Sequence, residues 1–215
     1  MKRISRYLPI LLIFLGVPLA AHAQGNTFDL GVGFGTNYVK SDGQGTDSDT
    51  GLPCTPGGSD ATCDTDPALT AFDIGFAGDY MYRKNFGLGF EGVFQPAQEN
   101  YGPFTIRQSF YDFNFIYAPI NEKRVSLKIE GGGGGARTSV YVPVSVPLGG
   151  SESELYNENN HFAVHASAGV QIYVTEHIFI RPQFDYRYVP NFKEEFGSDS
   201  VLGGSVWVGY SFGDR

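Results

Sequence analysis

Long apolar runs, helical periodicity and basic clusters are all scarce in this chain, and each shortage excludes something. Beyond residue 23 no segment reaches 18 consecutive apolar residues, so no helical membrane span is written there. No stretch repeats its apolar residues at the helical period, which leaves a helix no stripe to bury. Cations are outnumbered, 15 Lys and Arg against 23 Asp and Glu, and the net charge is −8. With no basic patch to neutralise phosphates, the sequence argues against a nucleic-acid partner. Methionine (2) and tryptophan (1) are rare as well, whereas Phe (18), Tyr (13) and Gly (29) are plentiful among the 215 residues. That is far more aromatic surface than a disordered chain carries.

Residues 1–23 read as a cleaved signal peptide. Lys2, Arg3 and Arg6 precede an apolar stretch from Leu8 to Ala21, broken by Pro9 and Pro18, and Ala21-His22-Ala23 has the small-x-small pattern of a secretory cleavage site. A transmembrane anchor, the alternative, needs about 20 apolar residues, more than this interrupted run supplies. Cleavage after Ala23 leaves 192 residues starting at Gln24, and the loss of three cations takes the net charge to −11. Export makes the two cysteines interpretable. Cys54 and Cys63 lie in a stretch of Gly, Pro, Asp, Ser and Thr, and in an oxidising compartment a loop disulfide is the economical reading. Two free thiols or half of a metal site are the alternatives; zinc would want two further Cys or His nearby.

The dominant pattern has period two, the signature of strands with two unlike faces. Phe28, Leu30, Val32 and Phe34 alternate with Asp29, Gly31, Gly33 and Gly35. The same alternation recurs over 72–82, 86–94, 111–117, 125–129, 162–172, 178–188 and 206–212, giving eight strands. Connections after strands two, four and six are short, and those after one, three, five and seven are longer. Short turns on one rim and long polar loops on the other, with an even strand count, describe a transmembrane β-barrel.

A soluble sandwich or lipocalin-like barrel has the same period, but its outer face would carry many Lys, Glu and Thr. Here the smaller face is Gly, Ala, Ser and a few charges, which suits the narrow interior of an eight-stranded barrel. Tyr80, Tyr82, Phe86, Tyr117, Tyr186, Tyr188, Tyr210 and Phe212 fall near strand ends, where membrane-interface girdles lie. With its Ala-His-Ala signal, its Arg181-Pro-Gln-Phe-Asp-Tyr-Arg-Tyr188 run and its closing Trp207-Val-Gly-Tyr-Ser-Phe212, the chain resembles the OmpA/OmpX-like group of small outer-membrane barrels of Gram-negative bacteria. The resemblance implies an all-β fold, an eight-stranded antiparallel up-and-down transmembrane barrel over 24–215, with extracellular loops at about 41–69, 96–103, 137–160 and 190–199. It also implies outer-membrane lipids, lipopolysaccharide and the outer-membrane assembly machinery as partners. Typical members end in an aromatic residue that the machinery is thought to read; this chain departs by adding Gly213-Asp214-Arg215 after Phe212.

Three motifs invite chemistry. His165-Ala-Ser167 resembles the His-x-Ser pair of the lipid A deacylases, with Glu176 near in sequence, and a His and a Ser two apart on a strand share one face. That face is the lumen, however, since Phe162, Val164 and Val170 define the lipid side, and Glu176 falls in a turn. A hydrogen-bonding pair in the lumen is the plainer reading. Gly131–Gly135 followed by Ala136 fits GxGxxA, but the residues after it, Arg137 to Val146, read as extended, so no helix opens on a phosphate. Glycine on both faces marks a close approach or sharp bend of the wall instead. Asp42, Asp47, Asp49, Asp60, Asp64 and Asp66 make the first loop acidic, and Asp47-Ser-Asp49 begins like a calcium loop. Leu52 and Gly58 stand where that loop needs its Gly and Glu, which leaves a solvated acidic loop, with calcium as the alternative.

The alternation turns Asp29, Asp73, Asp79, Glu91, Asp112, Glu130 and Asp185 inward with Lys128, Arg181, Arg187 and His165. Charges in so narrow a space survive by pairing, Arg181 and Arg187 with neighbours such as Glu91, Glu130 or Asp185. The expected function is a non-enzymatic envelope structural or surface-interaction barrel without cofactor, metal or catalytic residues. A narrow porin-like solute channel is the alternative, and a lipid A-modifying hydrolase the minority one.

Overall fold

The computed structural model describes residues 26–41, 43, 45–47, 53–55, 63–65, 68–101, 104–146 and 150–213. The expected signal peptide lies outside the described residues. Every run of alternating residues forms a strand: β1 (Thr27–Val39), β2 (Leu69–Arg83), β3 (Phe86–Phe94), β4 (Phe104–Asn121), β5 (Val125–Val146), β6 (Gly150–Tyr173), β7 (Ile178–Tyr188) and β8 (Ser200–Phe212). Each pairs antiparallel with its neighbours in the chain, and β8 closes on β1 with Phe28 opposite Phe212 and Val39 opposite Val201. The strands close into a ring, so the wall meets its backbone hydrogen bonds from neighbouring strands on both sides, apart from local interruptions.

Polarity is inverted relative to a water-soluble barrel. Along β7, Ile178, Ile180, Phe184, Tyr186 and Tyr188 face outward while Phe179, Arg181, Gln183, Asp185 and Arg187 are buried. Phe113 and Phe162 are 66% and 63% exposed, whereas Lys128, Arg181 and Arg187 are each 1% exposed. Such an exterior is stable against hydrocarbon and costly against water, which removes the sandwich reading. Aromatic contacts gird the short-turn rim: Phe28 with Phe212, Phe86 with Tyr117, and Tyr210 with Phe212. Tyr38, Tyr111 and Tyr188 stand exposed toward the opposite rim.

The short turns are tied by side chains. Asn85 Nδ2 donates to the Ala118 carbonyl at 2.6 Å, and Thr175 Oγ1 accepts from the backbone N–H of Ile178 at 2.9 Å. His177 stacks on Tyr210, and its backbone carbonyl accepts from Ser211 N–H at 2.7 Å. Glu176 lies exposed in that same turn, beyond the end of β6.

The opposite rim departs from the expected loops. Residues 137–146 and 150–160, expected as loop, are the outer halves of β5 and β6, paired from Val146–Gly150 down to Ala136–His161. Thr138, Val140, Tyr141 and Val142 supply the β-branched and aromatic content that favours this extension. A bulge between Leu155 and Asn157 shifts the register once. Within 96–103, Glu99–Tyr101 is a short strand that pairs with Phe104–Ile106 of β4. Within 41–69, Gly45–Asp47 is flanked by Pro53–Cys54 and Cys63–Thr65, and the Cys54–Cys63 disulfide joins the two flanking strands. Within 190–199, Phe192–Phe196 forms a five-residue helix, α1, between two left-handed residues, Asn191 and Gly197.

The glycine run is a close approach. Gly132 and Gly134 point inward, where a Cβ would run into the backbone carbonyls of Phe113 and Tyr111 on β4. On the outer face the Tyr111 ring covers Gly135, and Phe162 lies over Gly133.

Candidate functional site

Among the described residues polar chemistry gathers in the interior, and it is layered. At the long-connection rim α1 carries Phe192 and Phe196, 0% and 4% exposed, into a cluster with Val39, Leu69, Ile106, Phe110, Val189 and Val201. Tyr101 meets Phe196 edge-on at 5.4 Å, and His161 meets Phe192 at 5.3 Å. A loop-borne helix thus places an apolar cap over the mouth. Nothing in the period-two pattern signals it, because a helix of five residues carries no repeat.

Beneath the cap lies a ring of ion pairs. Arg187 on β7 donates from Nε to Asp112 Oδ2 at 2.9 Å and from a terminal nitrogen to Glu91 Oε1 at 2.8 Å, its guanidinium 5.0 Å from the Phe110 ring. Gln183 Nε2 donates to Glu91 Oε2 at 2.9 Å and to Asp185 Oδ1 at 2.7 Å. Asn37 Nδ2 donates to Asp73 Oδ2 at 2.6 Å. His165 sits between Asn114 Oδ1, 3.0 Å from Nδ1, and Asp185 Oδ1, 3.2 Å from Nε2.

A second layer follows toward the short turns. Lys128 Nζ bridges Asp29 at 2.8 Å and Asp79 at 2.7 Å, and Arg181 bridges Asp79 at 2.6 Å and Glu130 at 3.2 Å. Gln171 Nε2 donates to Asp29 Oδ2 at 2.9 Å and also to the Tyr173 hydroxyl. Asn114 links the layers by accepting beside His165 and donating to Glu130 Oε2 at 3.4 Å. Between the two layers, Trp207 packs on Gly33 and Gly75, with the Arg181 guanidinium 5.5 Å from its ring. Met81, Ile116 and Ala118 form a small apolar cluster of their own.

Every inward charge named from the sequence is therefore buried in this network: Asp29, Asp73, Asp79, Glu91, Asp112, Lys128, Glu130, His165, Arg181, Asp185 and Arg187. Of the neighbours expected for the arginines, Glu91 takes Arg187 and Glu130 takes Arg181, while Asp185 is held by His165 and Gln183 within hydrogen-bonding reach. Asn37, Asn114, Gln171, Gln183 and Ser205 complete the network and share the inward parity of the charges. A search for polar residues of either kind at that parity would have found them.

The His-x-Ser pair is not assembled for catalysis. Ser167 Oγ has no hydrogen-bond partner, and both His165 nitrogens point elsewhere, so the pair is not joined as nucleophile and base. Glu91, Asp112 and His165 bring ligand-type atoms within 4.8 Å of one another. Arg187 already spans the two carboxylates, however, and a guanidinium there disfavours a second cation. The acidic loop's Asp42, Asp49, Asp60 and Asp66 lie outside the described residues.

The architecture is similar to several solved structures. Ail, the attachment invasion locus protein of Yersinia pestis, solved in complex with the heparin analogue sucrose octasulfate, superposes with a TM-score of 0.53 at 14% identity, covering 88% of this chain and 100% of that one. OprG from Pseudomonas aeruginosa gives 0.52 at 15% identity, covering 87% and 96%. The N-terminal β-barrel domain of Pseudomonas aeruginosa OprF gives 0.51 at 13% identity, covering 87% and 98%. At these identities the likeness is one of fold. No curated protein sequence matches the chain. The inverted exterior, the closed eight-stranded ring and a family profile matching residues 10–212 agree, and the chain belongs to the outer membrane protein beta-barrel domain family.

Proposed function

We propose that this outer-membrane protein is a non-enzymatic barrel with an envelope structural and surface-interaction role. The filled lumen carries the reading. Side chains from all eight strands meet across it, and among the described residues one cavity, beside Asn37, Asp73, Gly75, Asp185, Arg187 and Ser205, measures about 20 Å³, room for one water. An interior so packed acts as a plug, and α1 closes the mouth above it.

Interaction falls to the long-connection rim, which faces the outside of the cell in this reading. The β5–β6 hairpin is its largest feature. Among the described residues, β6 pairs on β5 alone from Gly150 to Ala163 and meets β7 only from Val164, leaving one edge of the outer hairpin open. Leu155 and Tyr156 stand exposed on it, while Arg137 and Glu158 pair across it. An open edge is a ready template for an extended partner segment. A barrel so placed meets lipopolysaccharide on its outer side and is inserted by the outer-membrane assembly machinery.

Purified protein in planar bilayers should give no reproducible unitary conductance. Steady single-channel steps with ion selectivity altered by Arg187→Ala would move the function to a narrow channel. For residues 1–23 we propose removal on export, supported by the Lys/Arg start, the Pro-broken apolar run and Ala21-His22-Ala23. Amino-terminal sequencing of protein from outer membranes should begin at Gln24, and an intact Met1 there would refute it.

A further inference from the structure

One strand seam of the barrel is interrupted, and the interruption opens toward lipid. The β6–β7 ladder runs from Val164–Tyr188 to Gly169–Gln183 and resumes only at Ile172–Ile180. The gap falls at Pro182, which has no N–H to donate. On its other side β7 stays fully zipped, with Pro182 opposite Val206. The seam is therefore loosened on one side alone.

Outside this gap lies a recess of about 480 Å³ lined by Leu127, Ala168, Val170, Pro182, Phe184 and Gly204. Small residues form its floor, and a Cβ placed on Gly204 would meet nothing within 4 Å. It is shallow and open to the membrane over most of its face. No polar side chain serves it, because Gln183 and Ser205 turn inward to Glu91 and Asp185. The recess can recognise hydrocarbon and little else.

We propose that this recess is a binding site for one phospholipid acyl chain, held longer than lipid elsewhere on the belt. Continuity selects the occupant: Val170 and Phe184, with half-buried Leu127 beside them, belong to the apolar exterior that meets the membrane. Depth selects the source. Leu127 and Val170 lie close to the 122–124 and 174–177 turns while Phe184 and Gly204 lie farther up β7 and β8, so the recess runs from the middle of the wall toward the short-turn side, where the chains of the phospholipid leaflet reach it. A second barrel is a poor occupant, since stable protein interfaces bury about 1,200–2,000 Å² and only nine residues line this recess.

The test is photolabelling of the intact barrel in nanodiscs of phosphatidylethanolamine bearing a diazirine on one acyl chain, followed by peptide mapping. Adducts should concentrate on the peptides holding Val170 and Pro182–Phe184, several-fold above those holding Phe72 or Phe113. Gly204→Leu, which enters open space, should bring that excess down to the level of the rest of the belt. Labelling spread evenly around the barrel, or an excess that survives Gly204→Leu, would overturn the proposal. Disulfide-linked dimers formed efficiently by Ala168→Cys would assign the recess to a second copy and overturn it equally.

Discussion

Arg181→Ala should lower the stability of the barrel by roughly 3–5 kcal/mol, the cost of breaking a buried ion pair on one side. Arg181 is 1% exposed and holds two carboxylates from different strands, Asp79 on β2 and Glu130 on β5. Asp79 would keep Lys128 at 2.7 Å, but Glu130 would lose its only salt bridge among the described residues. Denaturant titration of the barrel in lipid vesicles reads the loss directly. Arg181→Lys should recover part of it, since an ammonium keeps the charge but cannot fork between two acceptors. Breaking the exposed Lys84–Glu122 pair, whose side chains are 68% and 73% exposed, should leave the midpoint unmoved. If Arg181→Ala proved as mild as that, the lumen would have to be wet enough to solvate a bare carboxylate, and the plug would give way to a conduit.

The same network explains what the sequence made legible. Over Phe28–Gly35 of β1 each large residue is apolar and each small one is Asp or Gly, so parity alone sorts lipid face from lumen. Strand number, fold and the inward charges all follow from that one rule. Pairing does not, because Lys128 and Asp29 are 99 positions apart and meet only through the stagger with which the ring closes. The outer halves of β5 and β6 were hidden for another reason. Asn157 to Asn160 are polar on both faces, so no alternation marks them, and their strand character rests on pairing with Arg137 to Val140. The cap is hidden more deeply, since Phe192 and Phe196 flank Lys193, Glu194 and Glu195 in a segment whose composition reads as surface loop.

Glycine on the lumen face needs a second cause beyond narrowness, and Trp207 supplies it. Trp207 on β8, Gly33 on β1 and Gly75 on β2 lie on one rung of the wall, paired in succession. The indole lies across both glycines: a Cβ would come within 2.6 Å of it from Gly33 and 2.5 Å from Gly75. Its Nε1 donates to Ser205 Oγ at 2.9 Å, and Ser205 donates on to Asp185 at 3.1 Å, so the ring is anchored and cannot swing aside cheaply. Gly75→Val should therefore cost at least the ~1–3 kcal/mol typical of overpacking. Trp207→Ala alone should cost about 3–5 kcal/mol through the void it leaves. In the double variant the valine has the vacated space to enter, so the combined cost should fall well below the sum of the two. Trp207 is the only tryptophan, and its fluorescence offers a direct report on the lumen in the Gly75 variant. A blue-shifted emission in the wild type should shift red in Gly75→Val as the ring is pushed off its seat. Strict additivity of the two costs would mean that the indole and the glycines do not touch, and that the lumen glycines answer only to the closeness of the strands.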